Sequence, residues 1–340
     1  MAYYGIDFGG SNLRISRVDP DTGNLIGALT TYAMQDLSSN EELIRLVMPH
    51  IPDGSNVGIS AAGVVDEENL VASPVNSPIK SKITFGRALR EKKGCAVKMT
   101  NDMNAAVQAA ARYDQGKGYD NVLLATYSSG YNCALTRRGR NVTTAELGHI
   151  VYKPSGDLYC GCGGKGHLET YVSGNGAAAM AKQYLGICQL KNHAILDCCL
   201  ADYNSSCAPG NKLKREDLKD PRNYASILQL VSAKHVYAAY AQQPADQPQQ
   251  DIRKTQVEAI ADSFGKMNSA YHPVDVMVLM GSQTLDWDIL FVPAIEKYCN
   301  DRGIYQLVGL PRPLIKRAHI SEIGLAGAVA YFLSYSNQRL

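Results

Sequence analysis

The sequence predicts an α/β fold in two domains, and three observations lead to that prediction. The chain has 340 residues, more than one hydrophobic core usually supports. In the first hundred residues, short apolar segments with strand periodicity alternate with segments of helical spacing. A buried strand is also expected at 274–280, followed by an apolar helix from residue 321. Alternation of this kind is typical of helices packed on a sheet.

The elements follow one another in a consistent order. Strands are expected at 4–7, 13–18, 25–32, 56–65 and 95–100, with helices at 40–48, 85–92 and from about 104. A hairpin is expected at 121–141. We therefore predict a first domain over 1–117, completed by the terminal helix at 321–340. A second domain would cover 118–320, with a loop at 149–167 that is rich in Gly and Cys from 154 to 166, and a helical stretch at 168–270. The chain has no internal repeat of 20–50 residues.

Composition excludes several classes of function. The 34 basic and 32 acidic residues give a formal net charge of +2 without a basic stripe, so nucleic-acid binding is not expected. Apolar runs are too short to span a membrane, and the first residues read as a strand rather than a leader. The nine cysteines are an odd number, which favours thiols in a reducing compartment over a disulfide framework. We expect a cytoplasmic protein.

The first motif, DFGGSNLR at residues 7–14, is expected to join two strands by a glycine turn. Backbone amides at Gly9 and Gly10 can approach a phosphate closely, and the Ser11 hydroxyl adds a donor. Asp7, at the end of a buried strand, is placed to hold Mg²⁺ through water. An ordinary glycine hairpin capped by Asp7 explains the same residues, so this motif alone leaves the function open.

The second motif is NDMNAA at residues 101–106, where a strand is expected to lead into a helix. Ligands of open α/β sheets bind at the carboxyl ends of strands, and a helix N-terminus favours negative charge. Asp102 is therefore a candidate catalytic carboxylate. A simple capping role for Asp102 is the alternative.

The third motif combines ELGH at 146–149 with CGCGGKGHLE at 160–169. Two thiols and two imidazoles, from His149, Cys160, Cys162 and His167, form a ligand set suited to a structural Zn²⁺. The intervening glycines would let the loop fold around the ion. Two free thiols beside two surface histidines are the alternative.

Together these motifs resemble the ROK family of sugar kinases and their related repressors. The order and spacing match over most of the chain, including residues 274–282 and 324–328 on the nucleotide side. The resemblance implies two actin-like, RNase H-like α/β domains with a sugar and nucleotide cleft between them. It also implies ATP and Mg²⁺ as cofactors besides the structural Zn²⁺, and a homodimer.

The resemblance further implies roles for individual residues. Asp102 would be the general base of an ATP-dependent kinase acting on a hexose hydroxyl, as in glucokinases, fructokinases and allose kinases. The implied sugar contacts are Asn76, Asn101, Asp102, Glu146, His149 and Glu169. The implied nucleotide and Mg²⁺ contacts are Asp7, Gly9, Gly10, Ser11, Ser129, Gly130, Gly281 and Ser282.

The chain departs from the family pattern in three places. His167 stands where the family has its last zinc cysteine. The second phosphate loop of the family, rich in Gly, is replaced by SSGYNC at 128–133, whose Tyr131, Asn132 and Cys133 would add bulk where phosphate should approach. The glycines on the adenosine side are reduced to Met280-Gly281-Ser282. The resemblance leaves the sugar open, so an N-acetylated amino-sugar kinase is one alternative, and the altered loop at 128–133 suggests a second, a degenerate non-catalytic sugar sensor. The Cys-x-Cys loop argues against an acyl-phosphate-type kinase.

Overall fold

A computed structural model describes residues 1–74, 77–281, 292–301, 303 and 313–336. Its strands are β1 Tyr3–Phe8, β2 Asn12–Val18, β3 Leu25–Ala33, β4 Asn56–Ala61, β5 Val64–Asp66, β6 Val71–Ser73, β7 Ala96–Asn101, β8 Asn121–Tyr127, β9 Tyr131–Arg137, β10 Arg140–Ala145, β11 Val276–Met280 and β12 Leu314–Arg317. Its α-helices are α1 Asn40–Val47, α2 Phe85–Lys93, α3 Asp102–Tyr113, α4 Glu169–Val172, α5 Gly174–Cys188, α6 Ala194–Ser206, α7 Pro221–Leu230, α8 Ala233–Gln242, α9 Gln247–Ala270, α10 Val292–Asp301 and α11 Ile323–Ser336.

Two five-stranded sheets share one topology. The first has the order β3-β2-β1-β4-β7, and the second has the order β10-β9-β8-β11-β12. In each sheet the first three strands form an antiparallel meander and the last two join in parallel. The predicted α/β class is therefore confirmed. The architecture is duplicated although the sequence carries no repeat, because topology depends on the pattern of apolar residues rather than on their identity.

The burial of the strands follows from their places in the sheets. Every residue of β4 is buried, as expected for a parallel strand covered on both faces. Strand β3, at the edge of the first sheet, is mostly exposed. The parallel strands β4 and β7 end side by side at Ala61 and Asn101. Their shared carboxyl edge is the predicted place for ligands.

Helix α11 packs directly on the first sheet. A Cβ at Gly5 would lie 2.6 Å from the carbonyl oxygen of Leu325, and one at Gly58 would clash with the carbonyl of Ala328. Gly327 contacts the carbonyl of Ala105 in α3 in the same way. These glycines let the helix backbone touch β1, β4 and α3. The contacts favour the return of the terminal segment to the first domain, while the proposed domain boundaries stay a prediction.

The helices between α4 and α9 form a separate layer with its own apolar cluster, which includes Leu185, Ile195, Ile227 and Val236. The helical stretch predicted from residue 168 to 270 is present in the structure. None of the helices within the described ranges is both long and apolar enough to cross a membrane.

Candidate active site

Asp102 lies where β7 ends and α3 begins. The helix starts at Asp102, earlier than the predicted start near Asn104, because Asn101 supplies the N-cap. The Asn101 Oδ1 atom accepts a hydrogen bond from Met103 N at 2.9 Å, and its Nδ2 donates to Gly63 O at 2.9 Å. The capping role considered for Asp102 therefore belongs mainly to Asn101, although Asp102 Oδ1 also accepts from Met103 N at 2.9 Å.

The surroundings of Asp102 suit a general base. Its side chain is exposed to solvent on one side, while protein atoms crowd its carboxyl group on the other. Burial is the main cause that raises the pKa of Asp102 to about 6, and the carboxylates of Asp7 and Glu146 raise it further. The hydrogen bond from Met103 N opposes this rise. A base with a pKa near 6 is ionised at neutral pH and still accepts protons well.

Asp7 ends up beside the first turn of α11. Its Oδ1 accepts a hydrogen bond from Ser60 Oγ at 2.9 Å. Burial raises the pKa of Asp7, while the Ser60 hydrogen bond and the nearby Arg14 guanidinium lower it. A Cβ at Gly324 would lie 2.5 Å from Asp7 Cγ, so the helix can approach the carboxyl group only because residue 324 is glycine. The predicted Gly9 and Gly10 turn follows directly, with Gly9 N donating to Asn12 O at 2.9 Å.

The turn at 128–131 between β8 and β9, called here the β8–β9 turn, differs from expectation. Tyr131 is 3% exposed, and its hydroxyl bonds Ser263 Oγ at 2.6 Å inside the core. Cys133 is fully buried on the same face of β9. Because side chains alternate along a strand, only Asn132 projects to the other face. The side chains of Tyr131 and Cys133 therefore do not occupy the space where the sequence analysis expected them to obstruct a phosphate.

Glu169 joins the β8–β9 turn to the predicted zinc loop. Its Oε2 accepts a hydrogen bond from Tyr131 N at 3.2 Å, and its Oε1 accepts one from Cys160 Sγ at 3.4 Å. A Cβ at Gly130 would lie 2.8 Å from the same carboxylate, so glycine is needed for this approach. Two further bonds hold the turn, from Gly174 N to Ser128 O and from Asn175 N to Ser129 O.

The four predicted metal ligands lie together. The ligand atoms of His149, Cys160, Cys162 and His167 all lie within 4.8 Å of one another. Cys160 Sγ is 3.4 Å from His149 Nδ1, and Cys162 Sγ is 3.3 Å from His167 Nδ1. These separations fit ligands that share one tetrahedral Zn²⁺ about 2.0–2.3 Å away. A side chain at Gly164 would collide with the His167 imidazole, so glycine is required there.

Glu146 lies between this loop and Asp102. Its Oε2 is 3.9 Å from His149 Nε2 and accepts a hydrogen bond from Asn132 Nδ2 at 3.1 Å. Asn132 Oδ1 in turn accepts from Cys133 N at 2.8 Å, which fixes the amide orientation. Sequence reasoning treated Asn132 only as bulk. Its role as a partner of Glu146 depends on a contact between β9 and the residue that follows β10, which no local sequence pattern indicates.

The remaining predicted residues divide into two groups. Gly281 follows β11 with a φ of 146° and packs against the Tyr127 carbonyl, where a side chain would clash. Asn76 and Ser282 lie outside the described residues.

The sequence analysis did not predict a role for Glu67. Its carboxylate accepts a hydrogen bond from Thr100, the residue two positions before Asp102. Nothing in the local sequence around Glu67 signals this contact.

Comparison with known proteins gives a consistent picture. A model of the ROK family matches residues 3–334. The chain is 26% identical to a glucokinase of Thermotoga maritima over 96% of this chain and 95% of that one. It is 30% identical to an N-acetylmannosamine kinase of Citrobacter koseri over 56% of this chain and 68% of that one.

Solved structures share the fold at low sequence identity. A ROK family glucokinase from Streptomyces griseus, in complex with glucose and AMPPNP, superimposes with a TM-score of 0.66 at 23% identity, covering 97% of this chain and 98% of that one. A ROK family transcriptional regulator superimposes with a TM-score of 0.68 at 16% identity, covering 98% and 78%. The predicted actin-like architecture is thereby confirmed. With a family model that matches nearly the whole sequence, the chain belongs to the ROK family.

Proposed function

We propose that this protein is a sugar phosphotransferase that moves the γ-phosphoryl group of ATP onto a hydroxyl of a hexose. The enzyme class is the one carried by the glucokinase and amino-sugar kinase relatives. The observation that carries the proposal is the position of Asp102, whose pKa of about 6 responds to Asp7 on the phosphate side and Glu146 on the sugar side. A base between two such groups is what phosphoryl transfer to an alcohol requires.

The proposed reaction uses the chain's own residues for positioning. Asn101, Glu146, His149 and Glu169, together with Asn76, would hold the sugar hydroxyls. The oxygen of the sugar hydroxyl attacks the γ-phosphorus of ATP, and the bond from that phosphorus to ADP breaks. Asp102 accepts the proton that the hydroxyl loses. The backbone of Gly9, Gly10, Ser129 and Gly130 would face the phosphates, with Ser11, Gly281 and Ser282 nearby.

Two metal ions belong to the proposal. Mg²⁺, held by Asp7 through water, would neutralise phosphate charge. The ligand set of His149, Cys160, Cys162 and His167 would hold a structural Zn²⁺ and stabilise the loop that carries Glu146 and Glu169. We further propose a cytoplasmic homodimer with domains at 1–117 and 118–320.

A coupled phosphorylation assay across a panel of sugars tests this function, with wild type and Asp102→Asn compared. We expect ADP release with an unmodified hexose such as glucose, fructose or allose, and loss of turnover in the variant. Turnover only with N-acetylated amino sugars would support the amino-sugar alternative, which the Citrobacter koseri relative favours. Sugar binding by calorimetry without any turnover would support a sensor, the alternative suggested by the regulator's shared fold.

A further inference from the structure

We propose that Glu67 is a positioning residue for phosphoryl transfer that acts on Asp102 through Thr100, an inference that rests on the proposed function. Glu67 lies between β5 and β6, outside every motif of the predicted site. Its Oε1 accepts a hydrogen bond from Thr100 Oγ1 at 2.5 Å. Its Oε2 accepts one from Tyr331 OH at 2.6 Å. One carboxylate thus receives two hydroxyl donors from distant parts of the chain.

Thr100 is the residue through which Glu67 reaches the site. It is fully buried in β7, and its hydroxyl also accepts a hydrogen bond from Asn104 Nδ2 at 3.3 Å, in the first turn of α3. Because the hydroxyl proton is given to Glu67, its lone pairs stay directed at Asn104. Glu67 therefore fixes both the end of the strand before Asp102 and the start of the helix after it.

The segment that carries Glu67 makes a second hydrogen bond to the end of β7. Gly63 O, a few residues before Glu67, accepts the Nδ2 proton of Asn101 at 2.9 Å. The two residues that precede Asp102 are thus both anchored to residues 63–67. An anchor on each of two successive residues restricts the backbone direction from which the Asp102 carboxylate projects.

Tyr331 fixes Glu67 from the opposite side. It is 3% exposed, on the helix α11 that packs against β1 and β4. A buried hydroxyl bonded to a carboxylate is a strong, directional contact. The Tyr331 hydroxyl holds the carboxylate in place and also interacts with the Thr100 side chain. Loss of this hydroxyl therefore removes one anchor of Glu67 and disturbs the same network that contains Thr100.

The test compares kcat, the KM values for sugar and ATP, and the melting temperature across a set of full-length variants. Glu67→Ala and Thr100→Val should each lower kcat about 10- to 100-fold, because small misplacement of a reacting group costs about that much. Both KM values should stay within about two-fold. The double variant should be no slower than the slower single variant, as expected for one shared interaction. Thr100→Ser keeps the hydroxyl and should restore most of kcat.

One further variant and one control complete the set. Tyr331→Phe removes an anchor of Glu67, so it should lower both the melting temperature and kcat, with a smaller loss of kcat than in Glu67→Ala. Glu68→Ala removes a neighbouring exposed carboxylate and should change neither quantity. Wild-type kcat in Glu67→Ala overturns the inference, and so does a kcat in Thr100→Ser as low as that of Thr100→Val. If the wild type itself phosphorylates no sugar, the proposed function fails and the inference fails with it.

Discussion

The backbone N–H of Tyr131 donates to Oε2 of Glu169 at 3.2 Å, so one carboxylate serves two predicted subsites. Glu169 is a predicted sugar contact, while Tyr131 ends the β8–β9 turn that would face the phosphates. The Oε1 atom of the same carboxylate lies 3.4 Å from the Sγ atom of Cys160, one of the four predicted metal ligands. The predicted sugar contacts, the predicted phosphate turn and the predicted zinc loop therefore meet at a single side chain.

This relationship predicts different effects for two substitutions of Glu169. Glu169→Gln keeps an acceptor for Tyr131 N, so the KM for sugar should rise about 10-fold while the KM for ATP stays within about two-fold. Glu169→Ala removes the acceptor and should raise both constants, because a backbone donor beside the phosphates loses its partner. Steady-state kinetics with each substrate varied will measure this. An unchanged KM for ATP in Glu169→Ala contradicts the structural link.

Asp102 predicts the shape of the pH profile. Because its pKa is raised to about 6, kcat/KM should fall as the pH drops below 6 and level off above 7. Asp102→Asn should lose about 10²- to 10⁴-fold in kcat, the usual contribution of a general base. The residual rate should no longer show an acidic limb near pH 6. If the variant shows the same fall in rate near pH 6, a group other than Asp102 causes that fall.

The raised pKa of Asp102 also predicts that the folded protein becomes more stable when the charge of this side chain is removed. The carboxyl group of Asp102 has a higher pKa in the folded protein than its ordinary value of 3.8, so the folded state disfavours the ionised form. Its contribution to stability is present below pH 4 and is lost as the pH rises to about 6. Asp102→Asn should therefore stabilise the protein at pH 7 by about 1 kcal/mol, after allowance for solvent screening. Thermal unfolding at pH 4 and pH 7 measures this, and an equal change at both values contradicts it.

The four predicted metal ligands, His149, Cys160, Cys162 and His167, lead to a prediction for the metal content of the purified protein. Wild type should carry about one Zn per chain, and Cys162→Ser should carry well under half of that amount, with a melting temperature lower by several degrees. Cys188→Ser serves as the matched control, because Cys188 is exposed and lies outside the cluster. Elemental analysis and thermal unfolding provide the measurements. Equal zinc in all three proteins would argue against these four ligands.

The hydrogen bond from Asn132 predicts a coupling between β9 and Glu146, a predicted sugar contact. Asn132→Ala removes the hydrogen bond to Glu146 and should raise the KM for sugar a few-fold, with the acidic limb unchanged. Asn132→Asp places a like charge beside Glu146, and should raise that KM about 10-fold. The added negative charge should also move the acidic limb above pH 6. If both variants behave alike, charge at this position is unimportant.

The parts of the site that are local in sequence were predictable. Glycine spacing, the NDMNAA segment and the Cys-x-Cys loop each carry their chemistry within a few residues, and the structure brings His149, Cys160, Cys162 and His167 together. The duplicated strand order was not predictable as a repeat, since the sequence carries no internal repeat of 20–50 residues. The contacts that link motifs were missed for a physical reason. Glu67 and Tyr331 are 264 positions apart, and only the folded chain joins them.

The structure also corrects an inference from side-chain size. Tyr131 and Cys133 looked obstructive in the sequence, yet strand alternation turns both into the core. Size alone does not indicate which face of a strand a residue takes. The apolar residues of β9 together determine which side chains point into the core. Asn132 is then left on the face that contacts Glu146.

The place of α11 has a consequence for how the protein is made. Strands β1 and β4 are synthesised first, but the backbone surfaces at Gly5 and Gly58 pack against a helix that begins at Ile323. While a ribosome is still translating the chain, this face of the nascent sheet stays uncovered and prone to association. Asp7 likewise lacks its neighbour Gly324 until that point. Fragments released early should therefore depend on chaperones and be inactive, even when every predicted catalytic residue has already been synthesised.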